Sequence, residues 1–204
     1  LEMLICPACL PEEQDLNPRI KTEEESDIVE GVLSCAHCGR EYPIQNGIAF
    51  LDPNLPHKAQ DAPSKYEEAP ALSSYLWSHY GDFLKDENAS AAYRDWNNLI
   101  RPTSGVAIDA GSAVGRFTFE LSQKNDFAIG IDNSLSFIRA ARELMLSWEL
   151  AVQLQQEGHV TRKATITLPK TWKNGNTEFL LGDVQKLPFK SGSFSSLASL
   201  NLVD

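Results

Sequence analysis

The stretch VAIDAGSAVGRFTFEL, residues 106–121, decides the fold. Its first letters predict a short buried strand that ends in the carboxylate Asp109. Small residues and two glycines, Gly111 and Gly115, follow, and the apolar spacing of a helix then begins. A strand that leads through such a loop into a helix is typical of nucleotide-binding sheets. The carboxylate raises the question of which ligand this loop serves.

Three further apolar runs follow, and each ends in an acidic residue. FAIGID ends in Asp132, TEFLLGD in Asp183 and SFSSLASLNLVD in Asp204. Continuous apolar strands that alternate with helices indicate a parallel sheet covered on both faces. Ligands of such sheets bind at the carboxyl ends of the strands. The sequence therefore predicts an α/β fold with a Rossmann-like parallel sheet and a group of carboxylates at its ligand-binding edge.

Asp109 separates two classes of ligand. In a dinucleotide site, backbone amides and a helix N-terminus receive a pyrophosphate, and a carboxylate at the strand end opposes that anion. The amino acid portion and sulfonium of S-adenosylmethionine are cationic and free of phosphate, so they suit a carboxylate. Asp132 lies 21 residues beyond Gly111, near the offset of an acid that accepts from ribose hydroxyls, and fits either ligand. An NAD-dependent oxidoreductase is the alternative that Asp109 disfavours.

About residues 75–204 resemble the class I S-adenosylmethionine-dependent methyltransferases. IDAGSAVGRFTFEL is similar to the first motif of that family, IGIDNS to its second, and LLGDVQKLPFKSGSFSSLASLNLVD to its third and fourth. The cofactor-binding residues that the resemblance implies are Asp109, Gly111 and Gly115 beside the methionine portion, Asp132 beside the ribose, Asp183 and Val184 beside the adenine, and Ser112 and Asn133 in the same loops.

The resemblance also implies where this chain departs from the family. Ala113 replaces the usual middle glycine of the first motif, and its methyl group is tolerated if its φ is negative. Family members continue with three more strands, so we expect this chain to be truncated after the fourth strand, in the strand order 3-2-1-4. The exposed edge of that strand is expected to pair with another copy in a homodimer.

The methyl acceptor is not identified by the sequence. Asn201 and Asp204, at the end of the fourth strand, are weak candidates for catalytic residues. His79 and Tyr80 are weaker still, and they lie in an aromatic-rich stretch that predicts two helices before the first strand of the sheet. Together with Tyr75 they are candidates for the ligand crevice, although aromatic residues at this spacing more often form core.

All four cysteines lie in two Cys-x-x-Cys segments, CPAC with Cys6 and Cys9 and CAHC with Cys35 and Cys38. Two such segments can direct four thiolates to one point, as a closed zinc site with metal–sulfur distances of about 2.3 Å requires. Two disulfides or a redox pair are the alternatives. The cysteines are therefore the predicted ligands of a structural zinc ion, and His37 is expected to face solvent.

The stretch GREYPIQNGIAFLDP predicts two short strands joined by a turn at Asn46 and Gly47. With the cysteine segments, it resembles the Trm112-like zinc-ribbon family over about residues 3–53. The resemblance implies a domain that binds a methyltransferase partner at the edge of its third strand. We therefore expect residues 48–52 to dock near residues 177–182 of the same chain. The acidic residues 11–31, between the cysteine pairs, are expected to be a solvated, mobile loop.

Composition divides the chain into three parts. We predict a zinc ribbon over residues 1–53, a proline-rich linker over 54–70 and an S-adenosylmethionine-binding domain over 71–204. In the last part, 44 residues separate Asp132 from the third strand. We expect a helix capped by Ser134 and ending near Gly158, followed by a basic surface excursion over residues 159–175. A basic flap over the substrate and a crossing strand are the alternatives for these residues.

The 204 residues carry a formal net charge of −10, which disfavours nucleic acid as a partner. No apolar run has the length of a membrane span and no secretory signal begins the chain, so we expect a cytoplasmic protein without a membrane partner. A small-molecule or protein methyl acceptor remains. The alternative class of function is a non-catalytic S-adenosylmethionine-binding or protein-interaction module.

Overall fold

A four-stranded antiparallel sheet contains most of the first 49 residues. The computed structural model describes residues 1–25, 27–54, 64–200 and 202. The strands are β1 (Leu16–Glu24), β2 (Asp27–Cys35), β3 (Glu41–Gln45) and β4 (Ile48–Ala49), in the order β1-β2-β3-β4. Asn46 and Gly47 have φ values of +50° and +74°, as a type I′ turn requires, so the predicted turn between β3 and β4 is confirmed.

The predicted mobile loop between the cysteine pairs is instead the β1–β2 hairpin. The prediction of solvation holds for β1, whose residues after Leu16 are exposed, but the prediction of a loop is wrong. β1 pairs with β2 along its whole length, and β2 buries Leu33 and Cys35. The alternation of charged residues with Ile20, Ile28 and Val32 allows this pairing, because polar residues can occupy the solvent face of a hairpin.

The second sheet is parallel throughout its described strands. It comprises β5 (Val106–Ala110), β6 (Phe127–Asp132), β9 (Thr177–Leu181) and β10 (Ser196–Ala198), in the order β10-β5-β6-β9. All three pairings are parallel. The predicted strand order 3-2-1-4 is therefore confirmed. The carboxyl ends of β5 and β6, where Asp109 and Asp132 lie, are neighbours.

Four α-helices accompany the parallel sheet among the described residues. They are α1 (Ala69–Tyr80), α2 (Ala92–Leu99), α3 (Arg116–Ser122) and α4 (Leu135–Ser147), with 3-10 turns at Lys65–Glu67 and Val184–Lys186. The two helices predicted before the first strand are α1 and α2. Within the described part of the chain, none of the helices has the length and apolarity needed to cross a membrane.

The helix predicted to end near Gly158 is shorter than expected. Ser134 caps it as predicted, since its side chain accepts from the amide of Phe137. The helix ends at Ser147, and Trp148 follows with a φ of +65°. A hairpin then forms from β7 (Glu149–Glu157) and β8 (Val160–Thr167). The sequence after Trp148 alternates between buried and exposed residues, which is the period of a strand rather than of a helix.

The ribbon covers one face of the parallel sheet. Leu33, Tyr42 and Ile44 share a buried cluster with Ile108 and Ile131 of the central strands. At the sheet edge, the amide of Leu51 donates to the carbonyl of Leu181 at 2.7 Å, and Phe50 bridges to Leu181 in parallel. The predicted docking of residues 48–52 near 177–182 is therefore confirmed. Residues 55–63 of the predicted linker lie outside the described part of the chain.

The ribbon also makes contacts with the parallel sheet domain that the sequence did not predict. The amide of Ile5 donates to the carbonyl of Pro188, and the amide of Lys190 donates to the carbonyl of Met3, both at 2.9 Å. Arg142 of α4 is buried and pairs with Asp27 of β2 and with Glu178 of β9. One guanidinium thus joins the ribbon, a helix and an edge strand of the parallel sheet.

Candidate functional site

The four cysteines converge on one point in the ribbon. Their Sγ atoms all lie within 4.8 Å of one another, and all four are free thiols. Cys6 and Cys38 are 3.7 Å apart at Sγ, and Cys9 and Cys35 are 3.8 Å apart. In a tetrahedron with metal–sulfur bonds of about 2.3 Å, neighbouring sulfurs are about 3.8 Å apart. The donor set therefore fits a structural zinc ion.

The surroundings of the cluster are those of a closed site. Cys6, Cys9 and Cys35 are buried, and the Tyr42 hydroxyl lies 3.3 Å from Cys6 Sγ. A hydrogen bond from the Arg40 amide lowers the pKa of Cys38 to about 7. His37 is exposed and does not belong to the cluster, as expected from the sequence. All four thiols would be used as ligands, which leaves no open position for catalysis.

A cavity of about 580 Å³ lies at the carboxyl ends of β5 and β6. This volume is typical of a site for a small ligand. Five of the predicted cofactor residues line it: Asp109, Gly111, Ser112, Asp132 and Asn133. The remaining described lining residues come mainly from α1, α2 and the segment before α1.

Asp109 is a buried carboxyl group at the end of the central strand. Its side chain accepts a hydrogen bond of 2.8 Å from the Thr118 hydroxyl, and the residue is 2% exposed. Burial raises the pKa of Asp109 to about 7, and the negative charge of Asp132 adds to the rise while the Thr118 hydrogen bond opposes it. No lysine or arginine occurs among the described lining residues, and the His79 imidazole is neutral because burial lowers its pKa to about 3. This carboxylate therefore lacks a cation that would offset its burial.

Asp132 shapes the loop that follows β5. Its Oδ2 accepts from the amide of Ala113 and its Oδ1 from the amide of Ser134, both at 2.9 Å. Burial raises the pKa of Asp132 against the effect of these amides. A carboxylate offers about four acceptor positions, so part of the capacity of Asp132 is left for a ligand.

Ala113 does not have the negative φ that was expected from the sequence. Its φ is +47°, between Gly111 and Gly115, each at +81°. The hydrogen bond from the Ala113 amide to Asp132 holds this left-handed conformation, which costs a residue with a Cβ more than it costs glycine. At Gly115 a Cβ would lie 2.7 Å from the Phe179 ring, so the close packing of α3 on the sheet requires glycine.

A row of aromatic rings forms another part of the cavity wall. Tyr75 and His79 come from α1, Tyr93 and Trp96 from α2, and Tyr66 from the 3-10 turn before α1. Tyr66 lies in the predicted linker and was not a candidate. The carboxylate of Glu67, its neighbour, accepts from the amides of Leu135 and Ser136 at the start of α4, at 2.8 and 3.0 Å, and this holds the turn at the cavity.

His79 is a neutral imidazole within this row. Its Nε2 lies 2.6 Å from the Tyr93 hydroxyl, while its Nδ1 is buried without a hydrogen-bond partner among the described residues. Burial, reinforced by the charge of Arg116, lowers the pKa of His79 to about 3. The Ser112 hydroxyl, in the same cavity wall, is likewise buried without a described partner. Two buried polar atoms without a described partner thus belong to residues that line this cavity.

Arg116 holds the aromatic helix against the loop. Its guanidinium donates to the carbonyl of His79 at 2.9 Å, to Asp82 at 2.7 Å and to Glu120 at 2.8 Å. It also lies 3.9 Å from the centre of the Phe83 ring. The side chain is 1% exposed, so all of its charge is balanced inside the protein. The hydrogen bond from Arg116 therefore fixes the position of His79 relative to the loop.

Other candidates lie outside the lining of the cavity. Tyr80 is fully buried, and its hydroxyl donates to the carbonyl of Val114 at 2.8 Å. Asp183 caps the 3-10 turn that follows β9 by accepting from the Gln185 amide, and Val184 packs against the ribbon-side cluster. Asn201 and Asp204 lie outside the described residues. The structure thus gathers the first two motifs and not the third.

Comparison with known proteins gives two kinds of similarity. Residues 1–47 match the family described as Trm112p-like protein, in agreement with the resemblance of the cysteine segments. The phosphoethanolamine N-methyltransferase 1 of Haemonchus contortus, solved with phosphoethanolamine and S-adenosylhomocysteine, is 20% identical with a TM-score of 0.43. A putative S-adenosyl-L-methionine-dependent methyltransferase from Methanococcus maripaludis is 14% identical with a TM-score of 0.42.

The chain matches only part of these structures. The similarity covers 66% of this chain and 23% of the Haemonchus protein, and 70% of this chain and 54% of the Methanococcus protein. A search of curated proteins finds no match. The function of the cavity therefore rests on its own geometry.

Proposed function

We propose that the strand-end cavity binds S-adenosylmethionine and that the protein is a methyltransferase for a small-molecule or protein acceptor. The observation that carries this proposal is the buried carboxyl group of Asp109, which lines the cavity beside Asp132 with no lysine or arginine among the described lining residues. A pyrophosphate would meet two carboxylates there. The ammonium and sulfonium of S-adenosylmethionine would supply the charge that the carboxylates lack.

The residues of the loop have distinct proposed roles. Asp132 retains acceptor positions for ribose hydroxyls, since its two hydrogen bonds to Ala113 and Ser134 use only part of its capacity. The buried Ser112 hydroxyl can bond the amino acid portion, and Gly111 lies beside it in the loop. Asp183 and Val184 remain proposed adenine contacts from their motif.

The chemistry needs orientation more than it needs an acid or a base. When bound, S-adenosylmethionine supplies a methyl group on a sulfonium: the acceptor lone pair bonds to the methyl carbon, and the electrons of the broken C–S bond stay on sulfur. The protein would hold the acceptor in line and exclude water. The aromatic row and the buried imidazole of His79 suit this task, because neither introduces a competing charge.

We further propose that the four cysteines hold a zinc ion that stabilises the ribbon. The sulfur spacing of 3.7 and 3.8 Å carries this part of the proposal. Because the ribbon shares a buried cluster with the parallel sheet, the ion would stabilise the sheet through the ribbon. Metal content of the purified chain, measured by mass spectrometry, tests it: one zinc per chain is expected, and a metal-free folded chain would contradict it.

Calorimetric titration tests the cofactor. S-adenosylhomocysteine is expected to bind one per chain, and NAD to give no binding. Asp109→Asn should weaken S-adenosylhomocysteine binding, while Glu143→Gln, on the exposed surface of α4, should not. Binding of NAD without S-adenosylhomocysteine would contradict the proposal. Binding of S-adenosylhomocysteine with no methyl transfer to any acceptor would favour the non-catalytic module instead.

A further inference from the structure

The aromatic side chains along the cavity form an uninterrupted row. Ring centroids are 5.9 Å apart for Tyr66 and Tyr75, 5.7 Å for Tyr75 and His79, 4.4 Å for His79 and Tyr93, and 5.3 Å for Tyr93 and Trp96. All five residues line the same cavity. An aromatic ring attracts a cation that approaches its face, through the ring quadrupole.

The charged side chains that line the cavity are acidic, and the Lys65 ammonium lies outside that lining, 4.9 Å from the centre of the Tyr66 ring. Asp109 and Asp132 are the charged groups among the described lining residues, and His79 is neutral at physiological pH because burial and Arg116 lower its pKa to about 3. Arg116 itself is fully occupied by Asp82 and Glu120. A ligand beside the cofactor would therefore find aromatic rings and no lysine or arginine in the described lining, which favours a cationic ligand over an anionic one.

The unpartnered nitrogen of His79 adds a directional contact. His79 is 8% exposed, and its Nδ1 is buried without a partner among the described residues. When Nε2–H donates to the Tyr93 hydroxyl, Nδ1 is an acceptor with nothing to accept. A ligand that carries an N–H group would satisfy it. An imidazole held neutral cannot repel such a ligand, even when the ligand is an ammonium.

We propose that the aromatic row and the His79 imidazole bind the methyl acceptor, and that this acceptor is a small amine. The inference rests on the methyltransferase function proposed above and names its substrate class. The cavity volume of about 580 Å³ limits the size of the acceptor, because cofactor and acceptor must share the cavity. Macromolecular acceptors would have to enter as a single side chain.

The reaction balances for an amine. The ammonium loses one proton to bulk solvent before the site excludes water, and the freed nitrogen lone pair forms the N–C bond. The C–S bond of the sulfonium breaks, and its electron pair stays on sulfur as a neutral thioether. The N-methylated product can take up a proton again and is then a cation of the same class. The row would therefore also accept a singly methylated amine as a substrate for a second transfer.

A matched set of probes tests the charge preference. Benzylamine, benzyl alcohol and benzoate share one shape and differ in charge, and each is titrated into the full chain saturated with S-adenosylhomocysteine. Benzylamine is expected to bind at least tenfold more tightly than benzyl alcohol, and benzoate more weakly than either. Equal or tighter binding of the alcohol or of benzoate overturns the proposal, and so does binding of none of the three. Failure of S-adenosylhomocysteine to bind would instead overturn the proposed function.

Paired variants test the residues. Tyr93→Phe keeps the ring and should lower benzylamine affinity by less than threefold, whereas Tyr93→Leu should lower it at least tenfold. His79→Asn keeps an acceptor near the position of Nδ1, and His79→Gln keeps one near Nε2, so the glutamine variant should lose more affinity. S-adenosylhomocysteine binding that persists in each variant shows that the cavity has kept its shape. Equal losses for phenylalanine and leucine, or retained affinity in the glutamine variant, would overturn the assignment.

Discussion

The cysteine cluster and the strand-end cavity differ in how their polar groups are satisfied. In the cluster, four sulfurs lie within 4.8 Å of one another, and a single ion can satisfy them all. In the cavity, Asp109 is buried without a cation, and the Nδ1 atom of His79 has no described partner. The difference teaches that the first site is suited to stabilise its domain, whereas the second carries an energetic cost that a ligand can relieve.

Removal of the metal should have the largest effect on the stability of the chain. Chelation, or Cys35→Ser, leaves buried thiols without their ion, and the ribbon side of the shared cluster should come apart. We expect Tm to fall by about 10 °C or more, measured by thermal unfolding. His37→Ala is the control. His37 lies in the same Cys-x-x-Cys segment but is exposed, so its loss should leave Tm unchanged. An unchanged Tm after complete zinc removal would show that the ribbon does not depend on its metal.

Arg142 joins the ribbon to the parallel sheet, and its loss should have the second-largest effect on stability. Arg142→Ala leaves Asp27 and Glu178 without their shared cation. Because both carboxylates are about one-third exposed, the expected cost is about 2 kcal/mol, or about 6 °C in Tm. Arg139→Ala removes an exposed arginine from the same helix and should change Tm little. Equal Tm values for the two variants would mean that Arg142 does not join the regions.

Asp109→Asn sharpens the comparison, because it should weaken ligand binding and raise the stability of the ligand-free chain. The variant loses the charge that we propose a ligand needs, so S-adenosylhomocysteine affinity should fall about tenfold to a hundredfold in calorimetry. The same change removes a buried charge, so the ligand-free variant should have a higher Tm at pH 8 than the unaltered chain. A lower Tm together with unchanged affinity would contradict both parts.

The pH dependence of binding should be the smallest of these effects. The pKa of Asp109 is raised from 3.8 to about 7, so its contribution to stability is present at low pH and lost as the pH rises through about 7. The ammonium group of S-adenosylhomocysteine pairs with the ionised form of Asp109. S-adenosylhomocysteine affinity should therefore decrease about tenfold from pH 8 to pH 6. His79 does not add to this change, because its pKa is about 3. The decrease should disappear in Asp109→Asn, and a decrease that persists there would assign it to another group.

Much of the architecture could be predicted from short local patterns. The alternation of apolar strands and helices predicted a parallel sheet, and the spacing of the cysteines predicted their convergence. The order of the parallel strands came from the family resemblance. The turn at Asn46 and Gly47 was likewise predictable from local sequence, because these residue types alone favour its positive φ values. The docking of the ribbon followed from a family resemblance rather than from local pattern.

The wrong predictions concern interactions between distant residues. The segment after Trp148 has apolar residues that fit a helix or a strand, and pairing of β7 with β8 decided between them. The positive φ of Ala113 depends on Asp132, 19 residues away. Tyr66 reaches the cavity because Glu67 accepts from the start of α4, and no periodic pattern predicts such a contact. The dense run of aromatic residues before the first parallel strand did indicate part of the row, because Tyr75 and His79 were candidates for the crevice and line the cavity.

A crystal structure of the chain with S-adenosylhomocysteine tests the central claim most directly. The ligand is expected in the strand-end cavity, with a ribose hydroxyl bonded to Asp132 and the amino acid portion beside Gly111 and Asp109. The same structure would measure the distance from the adenine to Asp183. A ligand bound elsewhere on the chain, or bound with Asp109 and Asp132 out of contact, would contradict the account.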